Sequence, residues 1–170
     1  MEVVTLMNAP ETFANSTKDS DFLAGDGVGV LPDWKIRALI ECRSVMADNE
    51  IEKEQIQPSS LDLRLGAVAY RVQASFLPGA DKSVVDILND LTMHKMDLRS
   101  GAVLEKGCVY IVPLQERLSL PEDVSAISNP KSSTGRLDVF TRMIVDKATL
   151  FDAAPAGYEG PLYAEIVPCT

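Results

Sequence analysis

The sequence predicts a mainly β protein, a small sandwich or barrel with one helix near its N-terminus. From Val103 onward, short apolar runs alternate with turn residues, as in proteins built from several short antiparallel strands. Strict alternation of Leu61, Leu63 and Leu65 with polar residues predicts a half-buried strand before that region. The chain has 170 residues, which is the length of one domain.

The N-terminal region divides into a predicted arm and the start of the domain. Residues 1–27 are polar and acidic with little periodicity, so we expect a flexible arm there. Met7 offers a second translation start, which would make the residues before it dispensable. Residues 28–170 are the predicted domain. Asp33 is suited to cap a helix of about 12 to 14 residues, because apolar residues recur at helical spacing up to Met46.

The middle of the chain is predicted to continue with a hairpin. Gly66 ends the strand that contains Leu61, and residues 67–74 are predicted to be its hairpin partner. Residues 84–96 fit either a short helix or an irregular insertion. The remaining predicted strands cover residues 108–112, 117–120, 124–128, 137–145 and 162–167.

The composition argues against several classes of partner. A formal net charge of -9 disfavours duplex nucleic acid, whose phosphates are bound by an excess of Lys and Arg. No apolar run approaches the roughly 20 residues that span a membrane. Cys42, Cys108 and Cys169 are widely spaced and odd in number. This pattern fits reduced thiols in a cytoplasmic compartment rather than a disulfide framework or a zinc site.

Residues 131–136, with the sequence Lys-Ser-Ser-Thr-Gly-Arg, combine groups that bind phosphate. Hydroxyls and backbone N–H groups in a turn can converge on phosphate oxygens, and the two flanking cations add positive charge. A Ser- and Thr-rich hairpin turn with solvated ends has the same composition. Both interpretations stand on these residues alone.

Glu165 is an unusual residue in an apolar strand. It lies between Tyr163 and Val167 on one face of that strand, so its own face is otherwise apolar. A carboxylate buried there would suit general acid and base catalysis. On an edge strand, the same glutamate would face water instead.

Three ordered motifs resemble those of the 2'-deoxycytidine 5'-triphosphate (dCTP) deaminases of the trimeric dUTPase superfamily. They are Gln-Pro-Ser-Ser-Leu-Asp-Leu-Arg-Leu-Gly at 57–66, residues 131–136, and Gly-Tyr-Glu-Gly at 157–160 followed by Glu165. Residues 28–167 are similar to the first half of the long bacterial members. The resemblance implies a dUTPase-like distorted jelly-roll (β-clip) and trimers that share active sites between subunits. Because family members continue well beyond the glutamate, it also implies a fold that is incomplete at the C-terminus, with unpaired strand edges.

The resemblance further implies a reaction and the residues that carry it. The reaction is the hydrolysis of dCTP to dUTP and ammonia. Glu165 matches the general base and acid, Arg136 the arginine that orients water and this carboxylate, and Ser133 a hydroxyl near the pyrimidine. The implied nucleotide-binding residues are Lys131, Ser132, Ser133, Arg136, Tyr158 and the backbone of Met143 and Val145, which would contact the cytosine edge.

The implied reaction uses no catalytic zinc. The zinc deaminase signature is absent, and the only histidine, His94, is expected to be structural or exposed. We therefore expect no protein-bound metal. Mg²⁺ would accompany the triphosphate, held mainly by phosphate oxygens and water. The implied partners are dCTP and dUTP, and the resemblance allows dTTP as an inhibitor.

Two other functions are alternatives to dCTP deamination, one enzymatic and one non-catalytic. In dUTPases an Asp that activates water stands two residues before the Gly-Tyr-x-Gly motif, and here that position is Pro155. Asp152 is near but out of register, so dUTP pyrophosphatase activity is the weaker enzyme hypothesis. The second alternative is a non-catalytic fragment or structural half-domain of a longer deaminase.

Overall fold

The computed structural model describes residues 2–8 and 29–170 of the chain, in which short extended segments dominate. The strands are β1 (Glu2–Asn8), β2 (Val45–Ala47), β3 (Ile56–Gln57), β4 (Ser60–Asp62), β5 (Val68–Val72), β6 (Thr92–Asp97), β7 (Val109–Ser119), β8 (Val124–Pro130), β9 (Val139–Val145), β10 (Ala153–Ala154) and β11 (Glu159–Pro168). The helices are α1 (Asp33–Glu41), α2 (Val84–Leu91) and α3 (Ser132–Arg136).

The strands form two antiparallel sheets with the main core between them. The first sheet has the order β10-β8-β1-β4-β3, and the second has the order β6-β5-β7-β11-β9, with β2 paired to β7. Alternate apolar residues of both sheets, such as Leu6, Leu61, Val112 and Leu162, are buried in this core. This architecture confirms the prediction of a mainly β, dUTPase-like jelly-roll.

A second, smaller apolar cluster involves residues on the other face of the second sheet. It contains Ile111, Ile144 and Tyr163 from the strands and Val84 and Leu88 from α2. The helix begins with a capping box, in which the Ser83 side chain accepts from the Asp86 N–H and the Asp86 carboxylate accepts from the Ser83 N–H. The short-helix alternative for residues 84–96 is therefore correct up to Leu91, and β6 follows at once.

Helix α1 is shorter than predicted. It ends at Glu41 because Arg43 adopts a left-handed conformation (φ 63°) and the Ser44 N–H donates to the Leu39 carbonyl. Val45 and Met46, which the spacing placed in the helix, form β2 instead. Asp33 is the first helical residue rather than the cap, and its carboxylate pairs with Arg37.

The predicted hairpin between residues 61–65 and 67–74 is wrong. β4 pairs with β1 and β3 in the first sheet, whereas β5 pairs with β6 and β7 in the second. The chain passes between the sheets at Gly66, whose N–H donates to the Pro113 carbonyl. A Cβ at this glycine would lie 2.6 Å from that oxygen, so the crossing requires glycine.

The predicted strands at 108–112 and 117–120 are parts of one strand. β7 runs without interruption through Pro113, although proline cannot donate a ladder hydrogen bond. Its pairing with β11 shifts register between Pro161 and Tyr163, opposite this proline. The strand therefore continues through the proline, at a position where its pairing with β11 is irregular.

The predicted flexible arm is wrong for residues 2–8. They form β1, which pairs with β8 over its whole length and with β4 at Val3 and Val4. The side chains of Val4 and Leu6 are completely buried, so β1 contributes to the core, which argues against the prediction that the residues before Met7 are dispensable. The rest of the predicted arm, residues 9–27, lies outside the described residues.

Strand β11 lies inside its sheet. It pairs with β7 on one side and with β9 on the other, from Leu162 to Pro168 on the β9 side. The unpaired edge that we expected near the C-terminus is therefore not found on this strand. In the described ranges, no helix is long and apolar enough to cross a membrane.

Candidate active site

Glu165 lies in the middle of β11 and is completely buried. Its neighbours across the sheet are Ile111 on β7 and Arg142 on β9. Its face of the sheet also carries Tyr163, which belongs to the second apolar cluster. The interior alternative for this glutamate is therefore correct, and the edge-strand alternative is wrong.

Arg142 binds the carboxylate of Glu165 directly. Its Nη2 donates to Oε1 at 2.6 Å, and its Nε donates to the same oxygen at 3.1 Å. The other oxygen, Oε2, is buried and has no hydrogen-bond partner in the structure. One oxygen of the glutamate is thus held by a cation, while the second has no hydrogen-bond partner.

Arg142 is itself held by three further side chains. Its guanidinium carbon lies 3.7 Å from the centre of the Phe151 ring and 5.0 Å from that of Phe140. Nη2 also donates to the exposed hydroxyl of Ser75 at 2.9 Å. Sequence reasoning missed this role, because only the cross-strand register of β9 and β11 places this arginine beside the glutamate.

Asp152 closes the turn between β9 and β10 next to these residues. Its Oδ1 accepts from the Met143 N–H at 2.7 Å, and its own N–H donates to the Met143 carbonyl at 2.9 Å. Burial raises the pKa of the Asp152 carboxyl. Repulsion from Glu2 and Glu165 adds to the rise in this pKa, and the Met143 hydrogen bond and the Arg142 charge oppose it.

The backbone of Met143 is already hydrogen-bonded within the chain. Its N–H donates to the Asp152 carboxylate and its carbonyl accepts from the Asp152 N–H, so a cytosine edge that accepts from this N–H would have to replace the carboxylate. The polar groups of Val145 lie on the same edge of β9, because alternate residues of an antiparallel strand point their backbone groups the same way. The predicted contacts of Met143 and Val145 with the base stay predictions.

A second buried carboxylate comes from the N-terminal strand. Glu2 is completely buried, and its Oε2 accepts from the Ser128 hydroxyl at 2.8 Å. The N–H of Ser128 in turn donates to the Asp152 carbonyl. Hydrogen bonds therefore connect β1 through β8 to the turn that lies beside Arg142.

The predicted phosphate-binding segment forms the short helix α3. Ser132, Ser133 and Arg136 are exposed, and Arg136 Nη2 donates to the Ser132 hydroxyl at 3.3 Å. The ammonium of Lys131 forms a short ion pair with the buried carboxylate of Asp62. Most of the free positive charge of this segment therefore belongs to Arg136 rather than Lys131.

The two halves of the predicted site do not meet within the described part of the chain. No hydrogen bond or ion pair there connects Glu165 to Lys131, Ser132, Ser133 or Arg136; its recorded partner is Arg142. Within the single chain, the arginine that binds the Glu165 carboxylate is Arg142, and the role of Arg136 implied by the resemblance stays a prediction. The expected role of Arg136 toward the carboxylate has no support from a contact in the single chain.

Tyr158 has a structural role that its motif did not reveal. The side chain is buried, its hydroxyl donates to the Pro161 carbonyl at 2.7 Å, and it accepts from the Asp146 N–H at 3.2 Å. Burial also raises the pKa of this phenol, which therefore stays neutral. The hydroxyl donates and accepts within the chain, so Tyr158 stabilises the turn before β11, and its predicted contact with a nucleotide stays a prediction.

Gly160→Ala is expected to destabilise this turn. A Cβ at position 160 would lie 2.5 Å from the Tyr158 hydroxyl oxygen, which two hydrogen bonds hold in place. We expect a loss of about 1–3 kcal/mol in the free energy of unfolding, measured by urea denaturation. Gly135→Ala is the matched control, since nothing lies within 4 Å of its Cβ and alanine favours a helix. Equal stability of the two variants would contradict the steric role of Gly160.

Side chains of the types that can bind metals are dispersed among the described residues. No three His, Cys, Asp or Glu side chains there come together in a way that could hold a metal ion. His94 is exposed on β6, which is one of the two edge strands of the second sheet. The three cysteines are free thiols.

Comparison with known proteins identifies relatives of the chain. Residues 27–170 match the family model of the 2'-deoxycytidine 5'-triphosphate deaminase (DCD) N-terminal domain. A protein of Persephonella marina named "dCTP deaminase, dUMP-forming" is 32% identical over 136 residues, which are 80% of this chain and 70% of that protein. A protein of Haloarcula marismortui named "dCTP deaminase" is 33% identical over 113 residues, which are 66% of this chain and 55% of that protein.

A solved structure is also similar. The crystal structure of 2'-deoxycytidine 5'-triphosphate deaminase from Agrobacterium tumefaciens superposes with a TM-score of 0.81 at 58% sequence identity. The match covers 84% of this chain and 42% of the Agrobacterium chain. The present chain thus corresponds to less than half of that structure.

Proposed function

The chain belongs to the 2'-deoxycytidine 5'-triphosphate deaminase family, and from this we propose that it hydrolyses dCTP to dUTP and ammonia. The observation that carries the proposal is Glu165, a completely buried carboxylate with one oxygen held by Arg142 and the other without a partner. Such a group is unusual in a strand interior, because an unsatisfied buried oxygen is costly. It is suited to proton transfer with a water molecule.

In the proposed reaction, Glu165 is the general base and then the general acid. It takes a proton from water as the oxygen attacks C4 of the cytosine ring, and the proton passes to N3. The exocyclic amine then leaves as ammonia after it receives the second proton, so that one water is consumed for each dUTP formed. Tyr163, two residues earlier on the same face, is a poor alternative because burial raises its pKa to about 12.

Nucleotide binding is proposed at α3. The exposed Ser132, Ser133 and Arg136 offer hydroxyl donors and a guanidinium to phosphate oxygens. Lys131 contributes less than the resemblance implied, since its charge is paired with Asp62. Ser133, whose hydroxyl is exposed, is also the residue proposed to assist near the pyrimidine.

We propose that the protein supplies no zinc and that Mg²⁺ enters with the triphosphate. Mg²⁺ binds triphosphates mainly through phosphate oxygens and water, as the family resemblance implies for this reaction. When bound, this ion neutralises phosphate charge. The deamination of the cytosine ring is then carried out by Glu165 and the side chains around it.

A homo-oligomer, by resemblance a trimer, is proposed for the working enzyme. Its support is that α3 and Glu165 make no hydrogen bond or ion pair with each other in the described part of one chain. A neighbouring copy could bring its α3 to the glutamate of this one. The three free thiols are compatible with the predicted cytoplasmic location, and dTTP remains an expected inhibitor.

Ammonia without pyrophosphate is the expected product pattern. Several relatives are named dUMP-forming, but the position of the dUTPase aspartate is Pro155 here, and the side chain of Asp152 is bonded to Met143. With dCTP and Mg²⁺, residues 1–170 should release one ammonia per dUTP, measured by coupled assay and chromatography. Pyrophosphate formed in equal amount would show that the enzyme continues to dUMP.

A structural half-domain is the second candidate function. Two observations favour it: Glu165 is fully buried beneath Arg142, and the chain covers 42% of the Agrobacterium enzyme. If this hypothesis is correct, the folded chain will release no ammonia from dCTP, whether or not calorimetry detects nucleotide binding. Turnover by the folded chain alone would exclude it.

A further inference from the structure

We propose that Arg142 is the residue that positions the Glu165 carboxylate for deamination, holding one oxygen so that the other exchanges protons with water. This role rests on the deaminase function proposed above. It is distinct from the role of Arg136, which lies on the surface at α3 and contacts Ser132. The chain would thus use Arg136 to bind phosphate and Arg142 to orient the general base, Glu165.

The geometry of the pair supports positioning. Both donors of Arg142 converge on Oε1, at 2.6 and 3.1 Å, and none reaches Oε2. Arginine–carboxylate pairs are frequently bidentate, with two parallel N–H···O bonds between the guanidinium and the carboxylate. Here the grip on one oxygen defines the orientation of the group and leaves Oε2 unpaired in a buried setting.

The surroundings of Arg142 make it a rigid support. Phe151 stacks on the guanidinium at 3.7 Å, and Ser75 accepts from the same Nη2 that binds the glutamate. A planar, permanently charged guanidinium can stack and donate two hydrogen bonds at once, whereas the ammonium of lysine cannot reproduce this arrangement. Arginine is therefore required at position 142 for shape as well as for charge.

Arg142→Gln is expected to lower kcat for ammonia release about 100-fold, while KM for dCTP changes less than about 3-fold. A misplaced general base lowers the rate by about this factor. Arg142 contacts the general base and not the substrate, so its loss should have little effect on the binding of dCTP in the ground state. Arg142→Lys should restore part of the loss, to about 10-fold below wild type. Added guanidinium ion should also raise the rate of the glutamine variant and leave the wild-type rate unchanged.

Arg71→Gln is the matched control. Arg71 lies on β5 of the same sheet and forms an ion pair of similar length with Glu105, 2.7 Å, away from Glu165. Both glutamine variants lose one ion pair, so thermal melts compare the cost to stability, but only the Arg142 variant should lose kcat. If Arg142→Gln does not fold, the lysine variant, which keeps the charge, provides the same test.

The outcomes separate this inference from the proposed function. Wild-type kcat in a folded Arg142→Gln or Arg142→Lys variant would overturn the positioning role and leave the deaminase function in place. The positioning role would also be overturned if Arg142→Gln and Arg71→Gln each lost kcat in proportion to the thermal stability that they lose. A folded wild-type chain, as monomer and as oligomer, that releases no ammonia would overturn the deaminase function and this role together.

Discussion

Glu165→Gln is expected to stop ammonia release from dCTP while nucleotide binding remains. Glutamine has nearly the same shape and can still accept from Arg142, but it cannot take a proton from water. General base catalysis contributes about 100- to 10,000-fold, so we expect a fall in kcat of about 1,000-fold. Steady-state assays measure the rate, and calorimetry with dCTP measures the binding, whose Kd should change less than about 5-fold.

Glu116→Gln is the control for the loss of a buried, paired carboxylate. Glu116 lies on β7 of the same sheet, is buried, and accepts from the Nε and the N–H of Arg64 and from Gln55. Its substitution should lower thermal stability at least as much as Glu165→Gln and leave kcat unchanged. Retention of more than about a tenth of the wild-type kcat in Glu165→Gln would exclude this residue as the general base.

Removal of residues 1–6 is expected to abolish cooperative folding. The deletion takes away Val4 and Leu6, both completely buried, and leaves β8 and β4 without the strand between them. Truncation of one such leucine to alanine alone costs about 2–5 kcal/mol. A domain is typically stable by about 5–15 kcal/mol, so the loss of most of this strand should exceed what remains. Urea denaturation followed by circular dichroism measures the effect.

Single substitutions within β1 sharpen this experiment. Leu6→Ala should lower the free energy of unfolding by about 2–5 kcal/mol. Thr5→Ala, one residue away on the half-buried face, should change it by less than about 1 kcal/mol. A shortened chain with the urea midpoint of the full chain would show that the N-terminal strand does not contribute to the core.

Local patterns predicted much of the second sheet and of the core. The alternation around Leu162 and Ile166 identified both the strand and the unusual position of Glu165, because side-chain direction in a strand is a local property. β1 was not predicted, because the polar residues that follow its seven residues dominate the composition of residues 1–27. The predicted pairing of residues 67–74 with residues 61–65 was wrong, because strand pairing depends on contacts between residues distant in sequence, such as that of Gly66 with Pro113.

The candidate site was predictable in its residue types and less so in its contacts. Motif positions identified Glu165 and the α3 segment, but a motif carries no information on which hydrogen bonds are already made. Tyr158 and Met143 are examples, since partners within the chain occupy the groups that were expected to meet the nucleotide. Arg142 required the register between β9 and β11, which no spacing in the sequence encodes.

The position of β1 between β8 and β4 also determines the order in which the molecule can form. Glu2 and Ser128, which share a hydrogen bond, are 126 positions apart in the sequence. Closing a loop of that length costs entropy before any contact repays it, and folds dominated by such distant pairings form in milliseconds to seconds. During synthesis, β1 cannot pair with β8 until residues 124–130 have been made, so the first sheet closes only after β8 has been synthesised.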